Sequence, residues 1–101
     1  MRSVIEWFAE RMERRLKEHD AQKGYDGWRG YSLVWLCGRV CAESESLIKL
    51  VQELENTNRL LERRRLYLRI IKEAVDIANV SMMVADNARS FRRLEKGALE
   101  E

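Results

Sequence analysis

Glu73 and Asp76 stand three residues apart in a stretch otherwise built for burial. From 72 to 87 the chain reads Lys-Glu-Ala-Val-Asp-Ile-Ala-Asn-Val-Ser-Met-Met-Val-Ala-Asp-Asn, with no Gly or Pro to interrupt a helix. At about 100° per residue, Leu66, Ile70, Ile77, Val80 and Val84 collect into one stripe. Glu73 projects into the middle of that stripe, and Asp76 lies roughly 60° round the same helix. An unpaired carboxylate is costly to bury, so two of them one turn apart on a core-facing stripe call for a counterion. A divalent cation meets that need, because Mg²⁺ takes hard oxygen ligands. The alternative is a buried pair with a base, for example from Arg63-Arg64-Arg65 or Arg69.

A third acid occupies an apolar stripe on a different helix. Leu36, Val40, Leu47, Leu50 and Leu54 recur at spacings of three and four, and Glu43 fills the one slot of that series without an aliphatic side chain. Glu43 is fourteen residues before Thr57 and Glu73 sixteen after it. If the two helices form an antiparallel hairpin about Thr57, their heights differ by only about 3 Å. Glu43 then faces Glu73, with Asp76 one turn away. Three converging acids repel one another without a cation, and no basic residue occupies the facing stripes. Di-iron carboxylate bundles need Glu-x-x-His pairs, and the single histidine, His19, is not placed for one.

These positions require long helices. The pattern predicts a first helix over 3–19, capped by Ser3, with Val4, Phe8, Met12 and Leu16 on its apolar edge. A second helix follows over 32–55, capped by Ser32. Asn56-Thr57-Asn58 makes a turn. A third helix, with a potential break, covers 58–95 and stops at Gly97, leaving a charged tail over 96–101. From Ile70 to Ala88 the third helix is apolar on more than one side, which predicts a homodimer or homotetramer. The expected fold is therefore all-α: an antiparallel helical bundle of one domain, completed by homo-oligomerisation.

Between the first two helices, residues 20–31 hold three Gly, three aromatics and two bases. Tyr25 and Trp28 could stack on a base while Lys23 and Arg29 reach phosphate; equally, Trp28 could simply plug the core. The spacing matches neither a phosphate-binding P-loop nor a dinucleotide fingerprint.

A chain of 101 residues fits one domain with a modest core, and 46% hydrophobic with 36% charged residues fits amphipathic helices. The net charge of +2 gives no argument for nucleic acid or a membrane surface. Cys37 and Cys41 have no nearby ligand partners for zinc and read as reduced packing residues of a cytoplasmic protein. The N-terminus lacks the apolar region of a signal peptide, and no run is long enough to span a bilayer.

Taken together, these residues resemble the MazG-like all-α nucleoside triphosphate pyrophosphohydrolases. That family carries Glu-x-x-Glu on one helix and Glu-x-x-Asp on the next, often with an Asn three residues later. Glu73-Ala74-Val75-Asp76-Ile77-Ala78-Asn79 looks very like the second motif, and residues 19–28 look like the loop before the first. The resemblance covers roughly residues 5–90. The first motif departs from the pattern: Glu43 fits its first Glu, but three residues on stands Ser46. The resemblance implies cleavage of an NTP or dNTP to the monophosphate and pyrophosphate. It implies Mg²⁺, with Mn²⁺ as a substitute, held by Glu43, Glu73 and Asp76, the catalytic set. Lys23, Trp28, Arg29 and Asn79 become substrate-binding residues, although Asn79 fits a helix–helix hydrogen bond equally well. Ser46 leaves three carboxylates instead of four, so a homologue that binds nucleotide or a protein partner without catalysis is the alternative. A purely structural helical oligomer with its acids paired to Arg is the third reading.

Overall fold

The computed structural model describes residues 1–100. Three α-helices, α1 (Ser3–Lys23), α2 (Leu33–Glu55) and α3 (Leu60–Glu100), form a helical bundle-like arrangement, with a 3₁₀ turn at Gly27–Gly30 and no strand among the described residues. No helix among them is long and apolar enough to cross a membrane.

The helix ends differ from the sequence expectation in ways that bear on the site. Helix α1 starts at Ser3 itself, after Arg2, and no side chain caps it. It runs to Lys23, past residue 19, because the polar run His19-Asp20-Ala21-Gln22 contains no helix breaker and Gly24 is the first residue that stops it. Gly24 has φ +79, a region that favours glycine, and its N–H bonds Asp20 O at 2.8 Å. Ser32 caps α2 as expected, accepting from Trp35 N at 3.1 Å. The connection to α3 is pinned by Thr57 Oγ1, which donates to Glu53 O at 2.6 Å, and by Arg63 Nη1, which donates to Leu54 O and Thr57 O. Helix α3 begins at Leu60, not at 58, and continues unbroken through Gly97 to Glu100, because a lone Gly lowers helix propensity without ending a helix. Glu101, the last residue of the expected tail, lies outside the described residues.

The core is thin. Its buried apolar residues are Leu36 and Leu50 of α2 and Leu66, Val75 and Val80 of α3. Helix α1 packs on α3 and on the 3₁₀ turn. One side of the α2–α3 pair thus carries α1 and the loop, and the clefts between them hold the acids.

Candidate active site

Asp76 is the hub. It projects from mid-α3 toward α1, where Arg15 Nε donates to its Oδ1 at 2.8 Å. Arg15 also donates from Nη1 to Glu18 at 2.6 Å. Both partners hold the guanidinium proton more firmly, with the Asp76 hydrogen bond the larger cause. Glu43 of α2 is paired through one oxygen, Oε1, with Arg39 Nη2 at 2.7 Å. Its other oxygen, Oε2, is buried without a partner. Burial pushes the Glu43 carboxyl above its ordinary range. Asp76 and Glu73 push it the same way, while Arg39 pulls it down. The three acids are therefore electrostatic neighbours, as their placement on the two stripes anticipated.

They are not unopposed. The expectation that no base faces them is corrected by Arg15, which reaches across from α1, and by Arg39, one turn before Glu43 on its own helix. With two acids so paired, no group of three Asp, Glu, His or Cys side chains among the described residues is arranged to hold an ion. The basic residues named from sequence as alternative partners are engaged elsewhere or open. Arg63 binds the α2–α3 connection and Tyr67, and Arg69 makes no ion pair among the described residues.

Two cavities meet at the Arg15–Asp76 pair, which lines both. The first, about 400 Å³, is walled by Glu43, Asp76 and Asn79, with Lys23, Trp28, Tyr31 and Trp35 at its other end. The second, about 520 Å³, holds Glu73 and Ser46 among Lys49, Arg69, Lys72 and Glu53. Glu43 thus shares its cavity with Asp76, and Glu73 shares the other with Ser46. The pairing is thus shifted by one turn from the expected one, with Glu43 beside Asp76 and Ser46 beside Glu73.

Asn79 is 4% exposed and sits one turn beyond Asp76. Its Nδ2 donates to Met12 O of α1 at 3.2 Å, so it does make the helix–helix bond. Its Oδ1 is buried with no partner. Two residues that line the first cavity, Glu43 and Asn79, thus each carry a buried oxygen, Oε2 and Oδ1, for which the protein supplies no donor. Such atoms cost free energy unless something fills the gap. Both are hard oxygens of the kind Mg²⁺ takes, so the donor type suits that ion, while the acids as paired here do not form a ready cluster for it.

Arg29 is not brought to this site. It is exposed, pairs with Asp26 and lies 3.4 Å from Asp86, away from Glu43 and Asp76. Trp28 serves two ends: its ring lines the first cavity, while Nε1 donates to Asp86 Oδ2 at 2.9 Å. The buried pair Asp86 and Asn87, which reads in sequence as a polar helix end, is a latch for the loop. Asn87 Nδ2 donates to Trp28 O and Tyr31 O, both at 3.0 Å. Trp28, then Arg89 and Arg29, hold the Asp86 carboxyl below its ordinary range.

Sequence reasoning missed Arg15, Arg39, Lys49 and Lys72 as site residues. Spacing held part of the signal: Arg39 lies four residues before Glu43, and Lys72 directly precedes Glu73. Glu53, seven residues after Ser46 and so on the same face of α2, was likewise legible as an acid facing Glu73. Tyr31 stacks on Trp35 with ring centroids 4.2 Å apart, which gives the first cavity an aromatic wall.

Comparison with protein-family models, curated proteins and solved structures found no match to this chain.

Proposed function

We propose that the chain is a cytoplasmic, Mg²⁺-dependent nucleoside triphosphate pyrophosphohydrolase. On this reading α2 and α3 run antiparallel and the bundle is completed by homo-oligomerisation. The observation that carries the reading is the pair of buried oxygens without a hydrogen-bond partner, Glu43 Oε2 and Asn79 Oδ1, on residues that line one cavity with Asp76 and an aromatic wall. The pairing of Glu43 with Asp76 in one cavity and of Ser46 with Glu73 in the other supports the antiparallel run of the helices.

Glu43, Glu73 and Asp76 would hold the ion only once Arg15 and Arg39 are drawn off them, and it would supply phosphate charge neutralisation and a water of lowered pKa. The remaining work belongs to the protein. Trp28, Tyr31 and Trp35 offer ring faces for a base. Lys23 at one end, and Lys49, Arg69 and Lys72 in the neighbouring cavity, neutralise the triphosphate. Arg15 and Arg39 leave their acids and turn to phosphate oxygens as the substrate enters. Water attacks the α-phosphorus, the bond from it to the α–β bridging oxygen breaks, pyrophosphate leaves, and the water's proton passes to solvent. Glu73→Gln is expected to reduce turnover at least 100-fold while helix content and melting temperature stay near wild type. Wild-type turnover in that variant would refute the assignment.

Ser46 favours a second reading, a homologue that binds nucleotide without cleaving it. The Ser46 hydroxyl is turned back to its own helix, donating to Ala42 O at 3.3 Å, and leaves Glu73 without the fourth carboxylate. That reading predicts Mg²⁺-dependent nucleotide binding by calorimetry with no pyrophosphate formed. Steady turnover of any nucleotide excludes it.

A further inference from the structure

Helix α2 has two apolar faces, and only one is used. Leu36 and Leu50 are buried against α3. About 110° round the same helix, at 100° per residue, lies a second series: Val34, Cys37, Cys41, Ile48 and Val51. It recurs at spacings of three, four and seven, carries no charge and spans roughly 26 Å. Yet it faces solvent: Val34 is 84% exposed, Ile48 is 56% exposed, and both cysteines are exposed.

Helix α3 extends this surface. Tyr67, Ala74, Ala78 and Ala85 lie about 100° round from its own core stripe. In an antiparallel pair of right-handed helices, equal rotations from the two facing stripes arrive on the same side of the pair. The two series therefore form one continuous charge-free surface. Helix α1 packs on the other side, where Asn79 and Asp76 reach Met12 and Arg15.

The chain exposes more surface than a compact monomer of its mass. The chain exposes 8031 Å². A compact monomer of its mass, 12.0 kDa, exposes about 6,000 Å². The excess, roughly 2,000 Å², lies within what each copy contributes to a large obligate interface. Its radius of gyration, 17.0 Å, likewise exceeds the roughly 13 Å of a compact chain of this length.

We propose that this bare side of α2 and α3 is where a second copy of the chain docks, related by a two-fold axis. Self-pairing fits the relief of the surface. Val34, Ile48 and Val51 make a ridge on α2, and the small side chains Ala74, Ala78 and Ala85 make a track beside it on α3. A two-fold axis lays each ridge in the other copy's track and buries both cysteines. The proposal deepens the homo-oligomeric reading above and does not depend on the catalytic one.

Two measurements test it together: mass by light scattering, and the reaction rate of the thiols with Ellman's reagent. The wild type is expected to weigh two or four chains. Its Cys37 and Cys41 are expected to react at least ten-fold more slowly than those of Ile48→Glu, which is expected to be a monomer with unchanged helix content. Should Ile48→Glu unfold, the wild-type thiols still decide, by comparison with the urea-unfolded chain and by their acceleration on dilution. A monomeric wild type overturns both the oligomer and this face. An oligomer whose thiols react as fast as those of the unfolded chain, or which survives Ile48→Glu, overturns the face alone.

Discussion

Glu43 is held at a cost. Its side chain is 15% exposed, one oxygen has Arg39 and the other has nothing. Burial, Asp76 and Glu73 all raise its pKa above the ordinary 4.5. Between that value and the raised one, the folded chain binds more protons at this group than the unfolded chain does. Stability therefore falls as pH rises through that window, and the loss is fully present above it. Glu43→Gln should accordingly stabilise the ligand-free protein above the window, by about 1 kcal/mol, and the gain should vanish below pH 4.5. Urea unfolding of both proteins at pH 4 and pH 8 reads the difference. A Gln variant less stable than wild type at pH 8 contradicts this account of the residue. The acids themselves were legible in the sequence, because an acid on an apolar stripe violates the burial pattern of its own helix. Their partners were less so. Arg15 is sixty-one positions from Asp76, and nothing in local spacing joins two helices that meet only through tertiary packing.

Among the elements, the segment between α1 and α2 is the one whose placement depends on a few atoms. Gly24 turns the chain out of α1 at φ +79, ψ 165. The Asp86–Asn87 latch then fixes the 3₁₀ turn that carries Trp28. A side chain at Gly24 meets no neighbour, so the strain of Gly24→Ala is in the backbone alone. That substitution should cost about 1–3 kcal/mol, whereas Gly30→Ala, with open space and no positive φ, should be close to neutral. Thermal unfolding of the two variants checks this, and equal melting temperatures would contradict it. The three helices and the Ser32 cap could be read from periodicity and capping chemistry. The latch could not: an Asp-Asn pair reads as a polar helix end unless one knows that a loop carbonyl and an indole N–H are folded over it. The unbroken run of α3 through Gly97 follows from the weakness of one Gly as a stop signal when no Pro follows it.

At the scale of the molecule, a long α3 holds α1 and α2 on different sides, and the chain measures 63 × 30 × 26 Å. The order of acids on α2 and α3 brought Glu43, Glu73 and Asp76 within electrostatic range of one another, which the hairpin arithmetic anticipated to within one turn. The cavities add what spacing did not: a cationic wall from Lys49, Arg69 and Lys72 beside Glu73, and an aromatic wall near Glu43. This combination of acids, bases and rings is the basis for proposing triphosphate chemistry for the chain. The most direct test is pyrophosphate release from a panel of standard and modified NTPs and dNTPs. It would be run with Mg²⁺ and with Mn²⁺, on the wild type and on Ser46→Glu. The wild type is expected to release pyrophosphate and the matching monophosphate, chelation of the metal to stop the release, and added Mg²⁺ to restore it. Ser46→Glu, which places a carboxylate beside Glu73, should be at least as active. No pyrophosphate from any nucleotide with either protein would contradict the assignment.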